Sequence, residues 1–539
     1  MSQFPGYSPQ PIPADQSSVV PKRGPRRTVS ALLLVAVIAL VIALAGAGTV
    51  AVVQTTRLAD QRDEVARLQA QAQADAEAIA GLQSDLAELE EAPAALPPAA
   101  PANPLEDLLG PGGLEGLLGE GGLDALLGDG GLESLLGDLG SVPDVGPCLA
   151  DVEDLPDVGG QTLQQQFDET VAAVQQLRGL TLPQPIQPEL LTGDEVREFI
   201  TADIEENYTA ETADVERRML GLLQAAPADI DLIATQTDLL GDQVAGFYNP
   251  DTGQLVVRAD DPTAPLTATG LTVLAHELEH ALVDAVVGLP ELDGFGSDDD
   301  GAVAALAVVE GSAVALQSQF QHAALNPLSL LADLGSILGA DTGLDGVPEV
   351  IVQSLTFPYL TGASYVCGLY AAGGWEAIDE AIANPPATTH QVMFPEAGVT
   401  EAVAVDQPAG PAGFDLADRR SFGAAHLSWL FGAPGDDTGA ALEDPVAAVE
   451  PWRGGEVSLW TDGPQSAVAL VLAGADLCQP VTQWWTAAAG GGEQGAVAGA
   501  EQVVQATAEG TWGVVTCDGE DVRVGIGASA DTARQASAG

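Results

Sequence analysis

Leu266 to Val287 reads LTATGLTVLAHELEHALVDAVV, an apolar run broken at its centre by His276-Glu277-Leu278-Glu279-His280. Its length and the apolar residues on all sides predict one long buried helix. On a helix, residues four apart share a face, so both imidazoles would point at one metal ion with Glu277 beside it. Two neutral imidazoles hold Zn²⁺ without quenching its Lewis acidity, and the adjacent carboxylate takes the proton of a bound water. Two satisfied helix histidines are the plainer alternative, but chance spacing is rare in a chain with only 5 histidines. Glu279 faces elsewhere and is read as solvated or salt-bridged. His322, His390 and His426 have no ligand spacing and are read as core or surface histidines.

The third ligand has to be chosen among candidates. A metzincin would carry His ten residues after His276 and Gly at position 283, but the chain has Val286 and Val283. Asp284 follows His280 by one turn, and one helix face rarely gives three ligands to a tetrahedral ion. Asp284 is therefore read either as a carboxylate orienting a histidine ligand or as a solvated helix end. A second helix must bring back an acid. Asp300 to about His322 reads as that helix, and Glu310 is the only ionisable residue within its apolar body. A buried lone carboxylate costs several kcal/mol unless a cation compensates it, which makes Glu310 the expected third ligand. Asp298-Asp299-Asp300 just ahead fit the positive end of that helix and need no calcium.

Upstream, Thr192-Gly193-Asp194-Glu195 is a capping box opening a helix to about Tyr208. VAGFYNPDTGQLVV at 244–257 reads as a hairpin around Asn249-Pro250-Asp251-Thr252-Gly253. Tyr248 is expected to pack in it; donation to a substrate oxyanion is the sharper reading. The strand Gln254–Arg258 is expected to accept an extended peptide by strand addition.

Val29 to Val53 carries no charge, follows Lys22, Arg23, Arg26 and Arg27, and precedes a mixed-charge segment. As a helix it spans about 37 Å, enough for a hydrocarbon core of about 30 Å. The basic flank keeps residues 1–28 in the cytoplasm and sends the rest outside. The alternative, a signal peptide cleaved near Ala45-Gly46-Ala47, fits less well, since a signal core is usually about 7–15 residues. A single-pass protein of the cell membrane, with an extracellular head, is expected. Residues 54–92 follow a heptad with Leu58, Val65, Ala72, Ile79 and Leu86 at a, and Gln61, Leu68, Asp75, Leu82 and Leu89 at d. This predicts a helical stalk, as a coiled coil capable of self-association or as one amphipathic helix. Residues 93–147 are a Pro/Gly-rich spacer that repeats LEDLLGPGG, LEGLLGEGG, LDALLGDGG and LESLLGDLG. Leu stands where a calcium-binding nonapeptide needs Asp, so a flexible spacer is expected.

The four cysteines, Cys148, Cys367, Cys478 and Cys517, are widely spaced and match no zinc-ribbon pattern. Two disulfides in an oxidising space are expected. Three pairings are open; Cys148–Cys367 with Cys478–Cys517 is favoured because each pair would close one region. The balance of 17 Lys+Arg against 78 Asp+Glu, a formal net charge of -61, argues against a nucleic-acid partner, because phosphate would be repelled. At 46% hydrophobic residues, the chain can still bury a large core.

HELEHAL followed by VVEGSA, preceded by VAGFYNPDTGQLVV, resembles the membrane-anchored, gluzincin-like (HExxH…E) zinc metallopeptidase-type family. PPATTHQVMFPE at 385–396 and PWRGGEVSLW at 451–460 add to the resemblance, which runs from about Val171 to about Trp485. It implies an α+β, predominantly helical, zincin-like head with Zn²⁺ held by His276, His280 and Glu310. It also implies Glu277 as general base in the hydrolysis of peptide bonds, and leaves the substrate open. This chain departs from the family at Ser312, where Asp is usual, and at His390 and Phe394, where Glu and His are usual. The head is expected over 148–435, followed by a small β-rich subdomain over 436–525 and a disordered tail over 526–539. The competing reading is a non-catalytic envelope binding or scaffold protein whose metal site is structural or vestigial.

Overall fold

The computed structural model describes residues 143–538, apart from 151, 160–161, 291–297, 327–328, 330–345, 400, 434–441, 491–493, 496–501 and 508–509. The expected cytoplasmic tail (1–28), anchor (29–53), stalk (54–92) and nearly all of the spacer (93–147) lie outside these residues.

The chain enters through α1 (Leu163–Arg178), then β1 (Glu189–Leu191) and α2 (Gly193–Asn207). The Thr192–Glu195 capping box opens α2 as expected, the Thr192 hydroxyl accepting from the Glu195 amide at 3.4 Å. Helices α3 (Ala210–Leu222) and α4 (Leu232–Gln243) follow, then the hairpin β2 (Gly246–Asn249) and β3 (Gln254–Arg258). Asn249 builds the turn: its side-chain oxygen accepts from the Asp251 and Thr252 amides at 3.0 and 3.1 Å. Gly253, at φ 70°, supplies the left-handed residue that returns the strand.

The three strands pair in the order β1-β3-β2, β1 parallel and β2 antiparallel to β3. The expectation that a peptide adds to Gln254–Arg258 is therefore corrected. Both edges of β3 are already hydrogen-bonded, and the outer strands of this sheet among the described residues are β1 and β2.

Two long helices form the middle of the head. The HELEH helix, α5 (Ala268–Val286), starts at Thr267, whose hydroxyl accepts from the Gly270 amide at 3.2 Å. Every residue from Leu271 to Val283 is buried, so α5 is wrapped on all sides until its last turn, where Val286 is exposed. The next, α6 (Asp299–Ala324), is long and apolar enough by length and composition to cross a membrane, yet 94% of its apolar window is buried inside the protein. It is a core helix of the head. Against it lies α7 (Glu349–Ala383), which contains Pro358 and breaks at Gly374, φ 64°. The two backbones touch. A Cβ at Gly311 would fall 2.4 Å from the Gly362 carbonyl oxygen, and one at Gly362 would fall 2.2 Å from that of Ala307.

After α8 (Thr389–Met393) comes β4 (Asp415–Ser421), α9 (Ala424–Gly432), and the hairpin β5 (Gly454–Thr461) and β6 (Ser466–Ala473). Helix α10 (Cys478–Ala488) precedes β7 (Gln494–Gly495), β8 (Gln502–Ala506), β9 (Trp512–Asp518) and β10 (Asp521–Gly527). These strands make one antiparallel sheet in the order β4-β5-β6-β10-β9-β8-β7. The fold is thus α+β.

The second unit departs from expectation at both ends. Its sheet begins at Asp415, and Phe422, Leu427, Leu430 and Phe431 join its core with Met219 and Leu223 of the head, so the division near 436 is too late. The tail expected to be disordered contains α11 (Ala530–Ser537), capped by Ser529 and burying Ala533 and Ala536. Gly525 makes room for it: a Cβ there would sit 1.9 Å from the Ala533 carbonyl oxygen.

The units are tied together at the start of α6. Arg420 on β4 reaches Asp299 at 2.9 Å and Asp418 at 2.7 Å, and the Asp300 amide donates to the Ser421 hydroxyl at 2.9 Å. The acidic triplet therefore supports the helix dipole and also docks the sheet. Both favoured disulfides form: Cys148–Cys367 ties the entry segment to α7, and Cys478–Cys517 ties α10 to β9.

Candidate metal centre

Helical spacing places His276 and His280 on one face of α5, their rings 4.8 Å apart and nearly perpendicular. Where α6 crosses, Glu310 enters between them. Its Oε2 lies 3.3 Å from Nε2 of His276 and 3.4 Å from Nε2 of His280, while the two Nε2 atoms are 3.2 Å apart. Ligands about 2.0–2.1 Å from zinc at tetrahedral angles stand about 3.3–3.4 Å from one another. The donor triangle is of a size that could hold a metal ion, and its N/N/O donors suit a first-row divalent metal. Among the described residues this is the group of His, Cys, Asp and Glu side chains gathered tightly enough to hold a metal.

The surroundings set the protonation of each donor. Gln317, two turns beyond Glu310 on α6, places Oε1 3.1 Å from His276 Nδ1. That contact assigns the proton to Nδ1 and leaves the Nε2 lone pair facing the triangle. Burial lowers His276. Burial would also lower His280, but Glu310, with help from Glu277 and Glu279, pushes it up to about 9. Burial would raise Glu310; His280 and His276 outweigh it and hold Glu310 at about 2. His280 and Glu310 thus form a buried ion pair, imidazolium against carboxylate, 3.4 Å apart.

Glu277 is wholly buried beside the triangle, and burial is the main cause that raises its pKa to about 8. Neither of its oxygens has a hydrogen-bond partner of ordinary geometry; the Tyr248 backbone amide offsets part of the shift without completing such a bond. Glu279 is turned away, as expected, and is the salt-bridged alternative. Arg178 Nε donates to it at 2.8 Å, as does the Ser312 hydroxyl at 2.8 Å. Arg178 also pairs with Asp379 and lies over the Trp375 ring, 4.4 Å from its centroid, so one guanidinium braces α1, α5 and α7. An Asp in place of Ser312 would set a second carboxylate against Glu279.

Two expected residues go elsewhere. Asp284 Oδ2 accepts from the Tyr248 hydroxyl at 2.8 Å. Each is thus the other's partner, and neither hydrogen-bonds a triangle residue among the described contacts. Burial and Asp284 both raise the Tyr248 pKa. His390 is buried outside the triangle, bonded to the Glu450 carbonyl at 2.8 Å and flanked by Phe394 and Trp452; His322 and His426 are half-buried and also outside it.

Gln317, Arg178 and Tyr359 escaped the sequence reading. Tyr359, on α7, is fully buried, stacks on His276 with centroids 6.1 Å apart and planes 16° from parallel, and brings its hydroxyl within hydrogen-bonding reach of Glu310. Gln317 could have been found as the polar residue that lies two turns from Glu310 on the same face of the helix. No local signal marks Tyr359.

Comparison with family models, curated proteins and solved structures finds no match to this chain.

Proposed function

We propose that this chain is a zinc-dependent peptidase of gluzincin-like type, with His276, His280 and Glu310 as ligands and Glu277 as general base. The observation that carries the reading is Glu277: a buried carboxylate with two unpartnered oxygens, set against a three-donor triangle of zinc dimensions. Such a group costs several kcal/mol in a protein that makes no use of it. Burial raises its pKa above the ordinary carboxylate range, so its carboxylate is a stronger proton acceptor than an exposed one. Bound zinc supplies Lewis acidity toward a carbonyl oxygen and acidifies water. Glu277 accepts the proton of the attacking water and delivers it to the leaving amine nitrogen. The substrate is a protein or peptide, by the class of reaction.

Burial of the whole centre favours a second reading, a closed metal site in a non-catalytic envelope scaffold. A structural zinc takes four protein ligands, and the three donors gathered among the described residues speak for the enzyme. Glu277→Gln distinguishes them. It should keep zinc and lose nearly all hydrolysis of a quenched-peptide library; undiminished turnover would remove Glu277 from the mechanism, and no turnover in the parent would favour the scaffold.

Two disulfides fit an oxidising space outside the cytoplasm, and the apolar run 29–53 would anchor the head at the cell surface. Protease added to intact cells should degrade the head and spare residues 1–28; cleavage of an N-terminal tag from outside would reverse the topology.

A further inference from the structure

We propose that Tyr359 is a positioning residue of the metal centre: its hydroxyl holds the Glu310 carboxylate with Oε2 toward the imidazoles, while its ring backs His276. The inference rests on the metal-centre reading and adds a role that the HExxH…E pattern does not contain.

The placement follows from the helix crossing. Gly311 and Gly362 let α6 and α7 approach until backbone meets backbone, a Cβ at either position falling within 2.4 Å of the other helix's carbonyl oxygens. Glu310 precedes one of these glycines, and Tyr359 precedes the other by a single turn. Tyr359 thus comes from α7 to the Glu310 carboxylate, with which its hydroxyl interacts. From the opposite side α5 delivers His276, and the Tyr359 ring lies nearly parallel to that imidazole. One side chain on a third helix thus touches two prospective ligands from two others.

The chemistry gives this contact a purpose. Glu310 Oε2 faces both imidazoles, and Oε1 has no partner of full hydrogen-bond geometry. A carboxylate free to turn about its last bond would present either oxygen. A hydroxyl donor on the carboxylate selects one presentation, and a fully buried tyrosine needs an acceptor for its own O–H. Carboxylate ligands are themselves generally hydrogen-bonded, and loss of such a partner weakens metal affinity by roughly 10–100-fold.

The test is zinc affinity of the full-length chain, by competition with a chromophoric chelator, together with the visible spectrum of the Co²⁺-loaded protein. Tyr359→Phe, which keeps the ring and removes one oxygen, should weaken zinc binding by roughly 10–100-fold. It should also shift the Co²⁺ bands, while the metal-free protein melts close to the parent. Tyr365→Phe, on the same helix and half-buried, should change neither reading. Parental affinity and spectrum in Tyr359→Phe would overturn the proposal, as would a variant that no longer folds, because the residue would then be structural. A parent chain that binds no stoichiometric zinc would instead defeat the metal-centre reading on which the proposal rests.

Discussion

Replacing Arg178 by Met should be among the most damaging single changes in the head. Its guanidinium is buried and holds a buried Glu279 at 2.8 Å, pairs with the partly exposed Asp379, and stacks on Trp375. Removing one partner of a buried ion pair costs about 3–5 kcal/mol, because the remaining charge has no compensation. Loss of the cation–π contact adds about 0.5–2 kcal/mol, and the Asp379 pair adds little because water screens it. The sum, about 3.5–7 kcal/mol, is a large part of the roughly 5–15 kcal/mol that holds a typical domain folded. The double variant Arg178→Met/Glu279→Gln should recover most of the loss, since no buried charge is then left alone. The damage should depend on pH with a definite sign. Burial raises Glu279 even with Arg178 present. Without Arg178 the folded-state pKa rises further above the unfolded value. Stability is then retained below the ordinary carboxylate pKa and lost as pH rises through the folded one. Urea unfolding followed by circular dichroism at pH 5 and pH 8, on both singles and the double, measures this. A coupling energy near zero, or an Arg178→Met deficit that grows as pH falls, would refute the reasoning.

Three further outcomes are expected. Gly362→Ala puts a methyl 2.2 Å from the Ala307 carbonyl oxygen and should lower the melting temperature and weaken zinc binding together, since the helices carrying Glu310 and Tyr359 must separate; an unchanged melt would disprove the close crossing. Asp300 is raised by burial to about 6, so its contribution to stability is full below about 4 and lost as pH climbs to about 6. That is roughly 3 kcal/mol across the window, and Asp300→Asn should flatten stability between pH 4 and 6; a parental slope in the variant would assign the titration elsewhere. Glu310→Gln should weaken zinc affinity by orders of magnitude, whereas Asp284→Asn should leave it nearly unchanged, because Asp284 serves Tyr248. The reverse order by calorimetry would exchange their roles.

What could be read from the sequence was whatever a single helix displays. The i, i+4 histidines and the lone acid in an apolar helix are local patterns, and the structure brings all three together. The hairpin and the Thr192 capping box were legible for the same reason. What depends on the meeting of distant elements was not. β1 is only 3 residues long, Glu189–Leu191, too short to announce itself, so Gln254–Arg258 read as a free edge when it is a central strand. Asp284 lies one turn from His280, and spacing alone could not show that Tyr248 on the hairpin claims it. The helix Ala530–Ser537 is small and polar by composition, and it is held only because Gly525 lets it sit against the sheet. Arg178 and Tyr359 reach the centre through tertiary contacts across 101 residues and from a third helix, respectively.

The most direct measurement is the metal content of the purified full-length chain, by elemental analysis beside native mass spectrometry. One zinc per chain is expected, removed by a strong chelator, restored on dialysis, and absent from His276→Ala/His280→Ala. A parent chain without stoichiometric metal, or a double variant that keeps its zinc, would contradict the metal-centre reading.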